Sequence, residues 1–322
     1  DLNGTTLTIT TDEGTGTIGN DDNVSLSIAA VSGNEDDGAI TVTVSTANSV
    51  TSDTAIGFTV NTVDGTATTA DSDYTAITAD SSNEIAIGAT SATFSFTPTL
   101  DTTFEGDETV TIRLSSATGG ADTGPIFTST LDATGPEDAT ATITNDDTAP
   151  TVSIVDASAA ETASDVQFTV SLSAASDVDV TVAYATTAGT GTASTDYTTT
   201  SGTLTISASA TTGTIDVPIL ADALYEADET FTLTLSSPTN STLDTSNNGN
   251  TSTDASIATG TITNDDAVPT IAIDDVASGE ADGTAVYTLT LSAVSGLDAT
   301  VAYAVTSGTA TAGTDTGAAT DD

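Results

Sequence analysis

The sequence predicts an all-β protein built of tandem antiparallel β-sandwiches, and three observations carry that prediction. Apolar and polar residues alternate in short runs: Ile40-Thr41-Val42-Thr43-Val44, Phe168-Thr169-Val170-Ser171-Leu172 and Val286-Tyr287-Thr288-Leu289-Thr290-Leu291. Such alternation marks half-buried strands. Thr is abundant, and its branched Cβ suits a pleated strand, whereas no sustained 3.6-residue periodicity announces a helix. A phrase ending in Asn-Asp-Asp recurs at Asn20, Asn145 and Asn264, at intervals of 125 and 119 residues. That period is too long for a solenoid coil and suits one small sandwich per repeat.

The units follow in order. Residues 1–22 read as the final strand of a preceding unit, 23–147 and 148–266 as complete units, and 267–322 as a partial third that stops before its acidic segment. In each repeat a glutamate (Glu35, Glu161, Glu280) stands seven residues before the second strand's Val42, Phe168 or Tyr287. A third strand carries Phe58, Tyr184 or Tyr303. A loop phrase follows: Asp73-Tyr74, Asp196-Tyr197, then Asp315-Thr316. Phe104 and Tyr225, inside the acidic segments, are expected to anchor those loops in the core. The linkers Thr148-Ala149-Pro150 and Ala267-Val268-Pro269 are short and stiffened by proline, as in beads of a rod.

Composition excludes several functions. The 322 residues hold 47 acidic side chains and one basic one, Arg113, for a formal charge of −46, with no His, Cys, Met or Trp. Nothing can neutralise nucleic-acid phosphates, and anionic membranes are disfavoured. No apolar run is long enough for a spanning helix, so membrane insertion is not expected. Thiol nucleophiles, zinc sites and Ser-His-Asp triads are impossible. Paired carboxylates can hydrolyse glycosides, but here they recur as clusters in every unit with no Trp platform for a sugar, so no enzyme is expected.

An acidic ladder appears twice, as Asp101-Thr102-Thr103-Phe104-Glu105-Gly106-Asp107-Glu108 and Asp222-Ala223-Leu224-Tyr225-Glu226-Ala227-Asp228-Glu229. Two carboxylates about 4 Å apart repel by roughly 4 kcal/mol at an effective dielectric of about 20. A hard divalent cation with oxygen ligands removes that cost, and calcium tolerates the largest number of them. The alternative is a solvated loop in an acidic protein. The Asn-Asp-Asp closings read equally well as strand-end turns.

The Asp-Tyr phrase, the ladder and the terminal Thr-Ile-Thr-Asn-Asp-Asp agree in order and distance with the Calx-β domain, which the chain resembles over nearly its whole length. The resemblance implies Greek-key, immunoglobulin-like sandwiches that bind Ca2+ at one end. It implies ligands Glu35, Asp73, Asp101, Glu105, Glu108, Asp146 and Asp147 in the first unit. In the second it implies Glu161, Asp196, Asp222, Glu226, Glu229, Asp265 and Asp266, with the Leu224 carbonyl as a further candidate. The partial unit would offer Glu280 and Asp315. Strong binders of the family tend to carry Asp where this chain has Leu100 or Ala221, and where it has Asn145 or Asn264. Roughly one to three calcium ions per complete unit, held at millimolar extracellular levels, are therefore expected.

The function expected is a calcium-binding structural segment of a secreted bacterial surface or filament protein: an adhesin stalk, sheath or extracellular fibre whose junctions calcium stiffens. Neighbouring copies of the chain are candidate partners, by strand sharing. The alternatives are an adhesive module for a glycan or host protein, and a calcium sensor. A salt-loving source would also explain the acidity, and it predicts stabilisation by any salt.

Overall fold

The computed structural model describes residues 25–49, 51, 54–119, 137–246, 251–252, 254–279 and 282–310. The strand expected within 1–22, Glu280 and Asp315 lie outside the described residues. The chain divides into two compact units, one up to Thr148 and one from Ala149 onward. Strands dominate both.

The first unit contains β1 (Leu26–Ile28), β2 (Val31–Asn34), β3 (Ile40–Thr46), β4 (Ile56–Asp64), β5 (Asp80–Ile85), β6 (Ser91–Phe96), β7 (Glu108–Gly119) and β8 (Glu137–Thr144). They form a three-stranded sheet, β1-β3-β6, and a five-stranded sheet, β2-β8-β7-β4-β5. The second unit contains β9 (Thr151–Ile154), β10 (Ala157–Ala160), β11 (Asp165–Leu172), β12 (Val180–Ala188), β13 (Ser201–Ile206), β14 (Thr212–Pro218), β15 (Glu229–Thr239), β16 (Thr242–Leu243) and β17 (Ile257–Thr263). Its sheets are β14-β11-β9-β16 and β10-β17-β15-β12-β13.

Alternation sets which side chains go inside. Along β3 the residues Ile40, Val42 and Val44 are buried and Thr41 and Thr43 are exposed; β11 buries Val166, Phe168, Val170 and Leu172. Each inward row meets its counterpart from the facing sheet, giving one apolar core per sandwich. Aromatic pairs lie within each core. Tyr197 stacks on Phe231 with ring centres 4.5 Å apart, Phe168 meets Phe231 edge-on at 5.9 Å, and Tyr74 meets Phe96 edge-on at 6.3 Å. These edge-on contacts match the positive rim and negative face of the rings.

The leading strand of each sandwich changes sheets. β1 pairs antiparallel with β3, and two residues later β2 runs parallel to β8; β9 and β10 do the same against β11 and β17. This switch decides where the acidic residues go. β2 ends with Asn34 opposite Thr144, so Glu35 emerges beside the closing Asn145. β10 ends with Ala160 opposite Thr263, and the Glu161 N–H donates to the Thr263 carbonyl at 2.9 Å. β7 and β15 begin with Glu108 opposite Ile143 and Glu229 opposite Ile262, so each ladder empties into its strand at the same end. β4 ends with Asp64 opposite Val110, which brings the Asp73 loop there too.

Gly65 and Gly189 allow that loop to lie against the ladder strand. A Cβ at Gly189 would sit 2.5 Å from the Thr230 carbonyl oxygen, and one at Gly65 only 2.2 Å from that of Thr109. Forcing such a contact costs about 1–3 kcal/mol. Gly189→Ala is therefore expected to lower the urea midpoint of the second unit, followed by the fluorescence of its tyrosines; an unchanged midpoint would contradict this reading of the turn.

In the third repeat β18 (Ile271–Ile273) pairs with β19 (Leu289–Leu291) in the register of β9 and β11. The expected run from Val286 is thus strand only over its last three residues. Val286, Tyr287 and Tyr303 are exposed there, whereas the first two repeats bury Val42, Phe58 and Phe168 and half-bury Tyr184. No second sheet covers β18 and β19 among the described residues. Among those residues no helix is long and apolar enough to cross a membrane.

Candidate metal centre

Three groups of carboxylates meet at the ends just described, each with oxygens within 4.8 Å of one another. In the first unit the group is Glu35, Asp101 and Asp147. In the second there are two, Glu161-Asp222-Asp266 and Asp196-Glu226-Glu229. Each draws on segments far apart in sequence, which the register of the strands brings together.

Local hydrogen bonds hold the members in place. Asp101 accepts from the Thr103 N–H at 2.6 Å, and Asp222 from the Leu224 N–H at 2.7 Å. These Asx turns curl each ladder back on its first residue. The Asp222 N–H donates to Glu161 Oε1 at 3.0 Å. Asp73 accepts from Thr68 N–H at 2.6 Å and Asp196 from Thr192 N–H at 2.5 Å, so the same kind of bond closes the Asp-Tyr loop in both repeats, over five residues in the first and four in the second.

The electrostatics are those of crowded anions with no basic side chain among them. Glu35 is 5 % exposed and Glu161 8 %, a degree of burial that is rare for carboxylates. Burial, with the charges of Asp101 and Asp147 beside it, pushes the Glu35 carboxyl up to about 7. Glu108 rises to about 7 through burial and the facing Asp73, with Asp71 adding to it. Glu229 rises to about 7 through burial and its hydrogen bond to Asp196. Glu161 and Glu226 are raised by burial and then by neighbouring carboxylates. The chain's one basic side chain is spent elsewhere: Arg113 pairs with Asp138 through two hydrogen bonds of 2.8 Å across β7 and β8. Only protons or dissolved cations can neutralise these ends. The donors are all oxygens and mostly anionic, a set that fits a hard divalent cation and offers nothing to a soft one.

Most of the residues expected from the sequence lie at these ends, but not in one role. Asp73 faces Glu108 as Asp196 faces Glu229. Asp146 and Asp265 act on Glu35 and Glu161 by charge yet belong to none of the three groups, and Asp265 accepts from the Thr162 hydroxyl. Glu105 joins no group, unlike its counterpart Glu226. Phe104 and Tyr225 are half-buried and absent from the buried cores, so they do not anchor their loops there. Tyr225 instead pairs with Ser295 of the third repeat, whose Gly296 N–H donates to the Tyr225 carbonyl at 3.0 Å.

Sequence reasoning missed Asp107 and Asp228, which accept from the N–H of Asn145 and Asn264. Their recurrence at the same place in both ladders was the available signal. It also missed Gly296, for which a single copy gives no signal.

The family model described as the Calx-beta domain matches residues 19–147, 145–266 and 263–320. Among solved structures, CBD12 from CALX1.2 is 23 % identical, covering 66 % of this chain and 80 % of that one, with a TM-score of 0.31. The apo-form Calx CBD1 domain is 22 % identical, covering 35 % of this chain and 99 % of that one, with a TM-score of 0.29. The Calx CBD2 domain is 19 % identical over 34 % of this chain and 84 % of that one, also at 0.29. Among curated proteins the comparison gives no match. With three tandem matches that span nearly its whole length, the chain belongs to the Calx-beta domain family.

Proposed function

We propose that this chain is a calcium-binding structural segment of a secreted bacterial surface or filament protein, in which calcium joins and stiffens successive sandwiches. One observation carries the proposal: carboxylates gather at one end of each complete sandwich, around a buried glutamate, in a chain whose single basic side chain is engaged elsewhere. Glu161, Asp222, Asp266, Asp196, Glu226 and Glu229 hold the cations of the second unit; Glu35, Asp101, Asp147, Asp73 and Glu108 hold those of the first. Calcium supplies positive charge there, and the residues supply a rigid oxygen cage. The family's binding of calcium supports the assignment, as does the absence of any His, Cys or Lys that catalysis of another kind would use. An extracellular setting supplies calcium at the level this site is expected to need.

The ladder of the second sandwich bears directly on the next repeat, which favours a stalk or fibre over a free-standing sensor. A Cβ at Gly296 would lie 2.6 Å from Glu226 Oε1. Gly296→Asp is therefore expected to expel the Ser295–Gly296 loop from the ladder through steric overlap and like charge. Limited proteolysis in calcium should then cut within Ala267–Pro269 several times faster than in the parent chain; an unchanged rate would count against docking at the ladder. The stiffening itself is tested by small-angle scattering of the chain in calcium and in chelator at matched ionic strength. A narrower distribution of interatomic distances in calcium supports the stalk, and identical curves refute it. Neighbouring copies of the chain are the expected assembly partners.

A further inference from the structure

The closing asparagine makes the same three hydrogen bonds in both complete sandwiches. Asn264 Oδ1 accepts from the Glu226 N–H at 2.9 Å, and its Nδ2 donates to the Asp266 carbonyl at 3.2 Å. Its own N–H donates to Asp228 Oδ1 at 3.1 Å. In the first unit the bonds are Glu105 N–H to Asn145 Oδ1 at 3.1 Å, Asn145 Nδ2 to the Asp147 carbonyl at 3.2 Å, and Asn145 N–H to Asp107 Oδ1 at 3.2 Å. The partners fix the orientation of the amide, because a backbone N–H requires its oxygen and a backbone carbonyl requires its NH2.

We propose that Asn145 and Asn264 are positioning residues that tie the ladder to the closing segment and thereby set the spacing of the metal-binding carboxylates. The proposal rests on the calcium reading above. The ladder contributes Asp222 and the closing segment Asp266 to one group, so the distance between two segments 44 residues apart must be held without the ion. A carboxamide holds it because it both donates and accepts. An aspartate keeps the bond from Glu226 but turns an acceptor toward the Asp266 carbonyl, and adds another anion to a crowded end. The asparagine is thus a working part of the site and not a ligand position weakened by loss of charge. The resemblance to strong binders leads to the opposite expectation, that aspartate here would tighten binding.

The test uses the full chain carrying both Asn145→Asp and Asn264→Asp, and separately both Asn→Ala changes. Calorimetric titration with calcium at fixed ionic strength reads affinity, thermal unfolding in chelator reads the fold, and amide exchange in chelator reads the Glu105 and Glu226 N–H groups. The Asp pair is expected to bind calcium at least about tenfold more weakly, the usual cost of losing a partner behind a metal ligand, while melting within a few degrees of the parent. The Ala pair is expected to speed exchange of both amides at least tenfold in chelator. Equal or tighter binding by the Asp pair overturns the proposal, and so does unchanged exchange in the Ala pair. If the parent chain binds no calcium, the calcium reading fails by itself, and the exchange result alone then decides whether the asparagine ties the two segments.

Discussion

Calcium at about a hundred times its dissociation constant is expected to raise the melting temperature of the 1–322 chain by about 10 °C or more over chelator. Magnesium, or sodium chloride of matched ionic strength, is expected to give a small fraction of that. The reason is linkage. A cation that binds only the folded end stabilises it by about 2.7 kcal/mol when present at a hundred times its dissociation constant, and for domains of this size each kcal/mol is worth roughly 2–8 °C. Magnesium holds its water and demands a near-ideal octahedron, which a ring of carboxylates from four segments does not offer. Sodium chloride screens exposed charge but reaches buried charge poorly, and Glu35 and Glu161 are buried. Equal stabilisation by all three salts would identify the ladders as solvated charge in a salt-adapted protein.

Without calcium, acidification should stabilise the chain between about pH 7 and pH 5, the reverse of the usual behaviour of a protein rich in carboxylates. Glu35, Glu108 and Glu229 titrate near 7 in the folded state, against an ordinary value of 4.5 when unfolded. Between those values the folded chain holds more protons than the unfolded one, so stability falls as pH rises through the window and is regained as pH drops. Below about pH 4 both states are protonated at these groups and the gain levels off. A rise of roughly 5–10 °C in melting temperature from pH 7.5 to pH 5 in chelator is expected, allowing for partial exposure of Glu108 and Glu229. Calcium should flatten or invert this slope, because protons and the cation compete for the same oxygens. Melting that falls steadily with acidification in chelator would mean that these carboxylates are not crowded as described.

Much of this was legible in the sequence because its governing patterns are short-range. Period-2 alternation placed β3 and β11, and the repeat of about 120 residues announced the sandwich formed by each of the two complete copies. The fixed offset of Glu35 and Glu161 to the second strand singled them out in the sequence, and both are buried where the chain crosses between sheets. What escaped was division of labour among identical side chains. Composition does not separate Asp222, which faces other carboxylates, from Asp228, which caps a backbone N–H, or from Asp265, which takes a threonine hydroxyl. The partners of Asp228 and Asp265 stand 36 and 103 residues away in sequence, so no local pattern reports them. Tyr225 escaped in the same way: its partner, Ser295, lies in the next repeat.

The most direct test of the central claim is calorimetric titration of the chelator-stripped chain with calcium, alongside a variant carrying Asp101→Asn and Asp222→Asn. Both substitutions leave an oxygen that can accept from Thr103 or Leu224 N–H, so the ladder turns survive while a charge leaves each cluster. Saturable calcium binding by the parent, weakened tenfold or more in the variant and not matched by magnesium, is the predicted result. Absence of saturable heat in the parent, or equal binding by the variant, would contradict the assignment of these carboxylates to calcium.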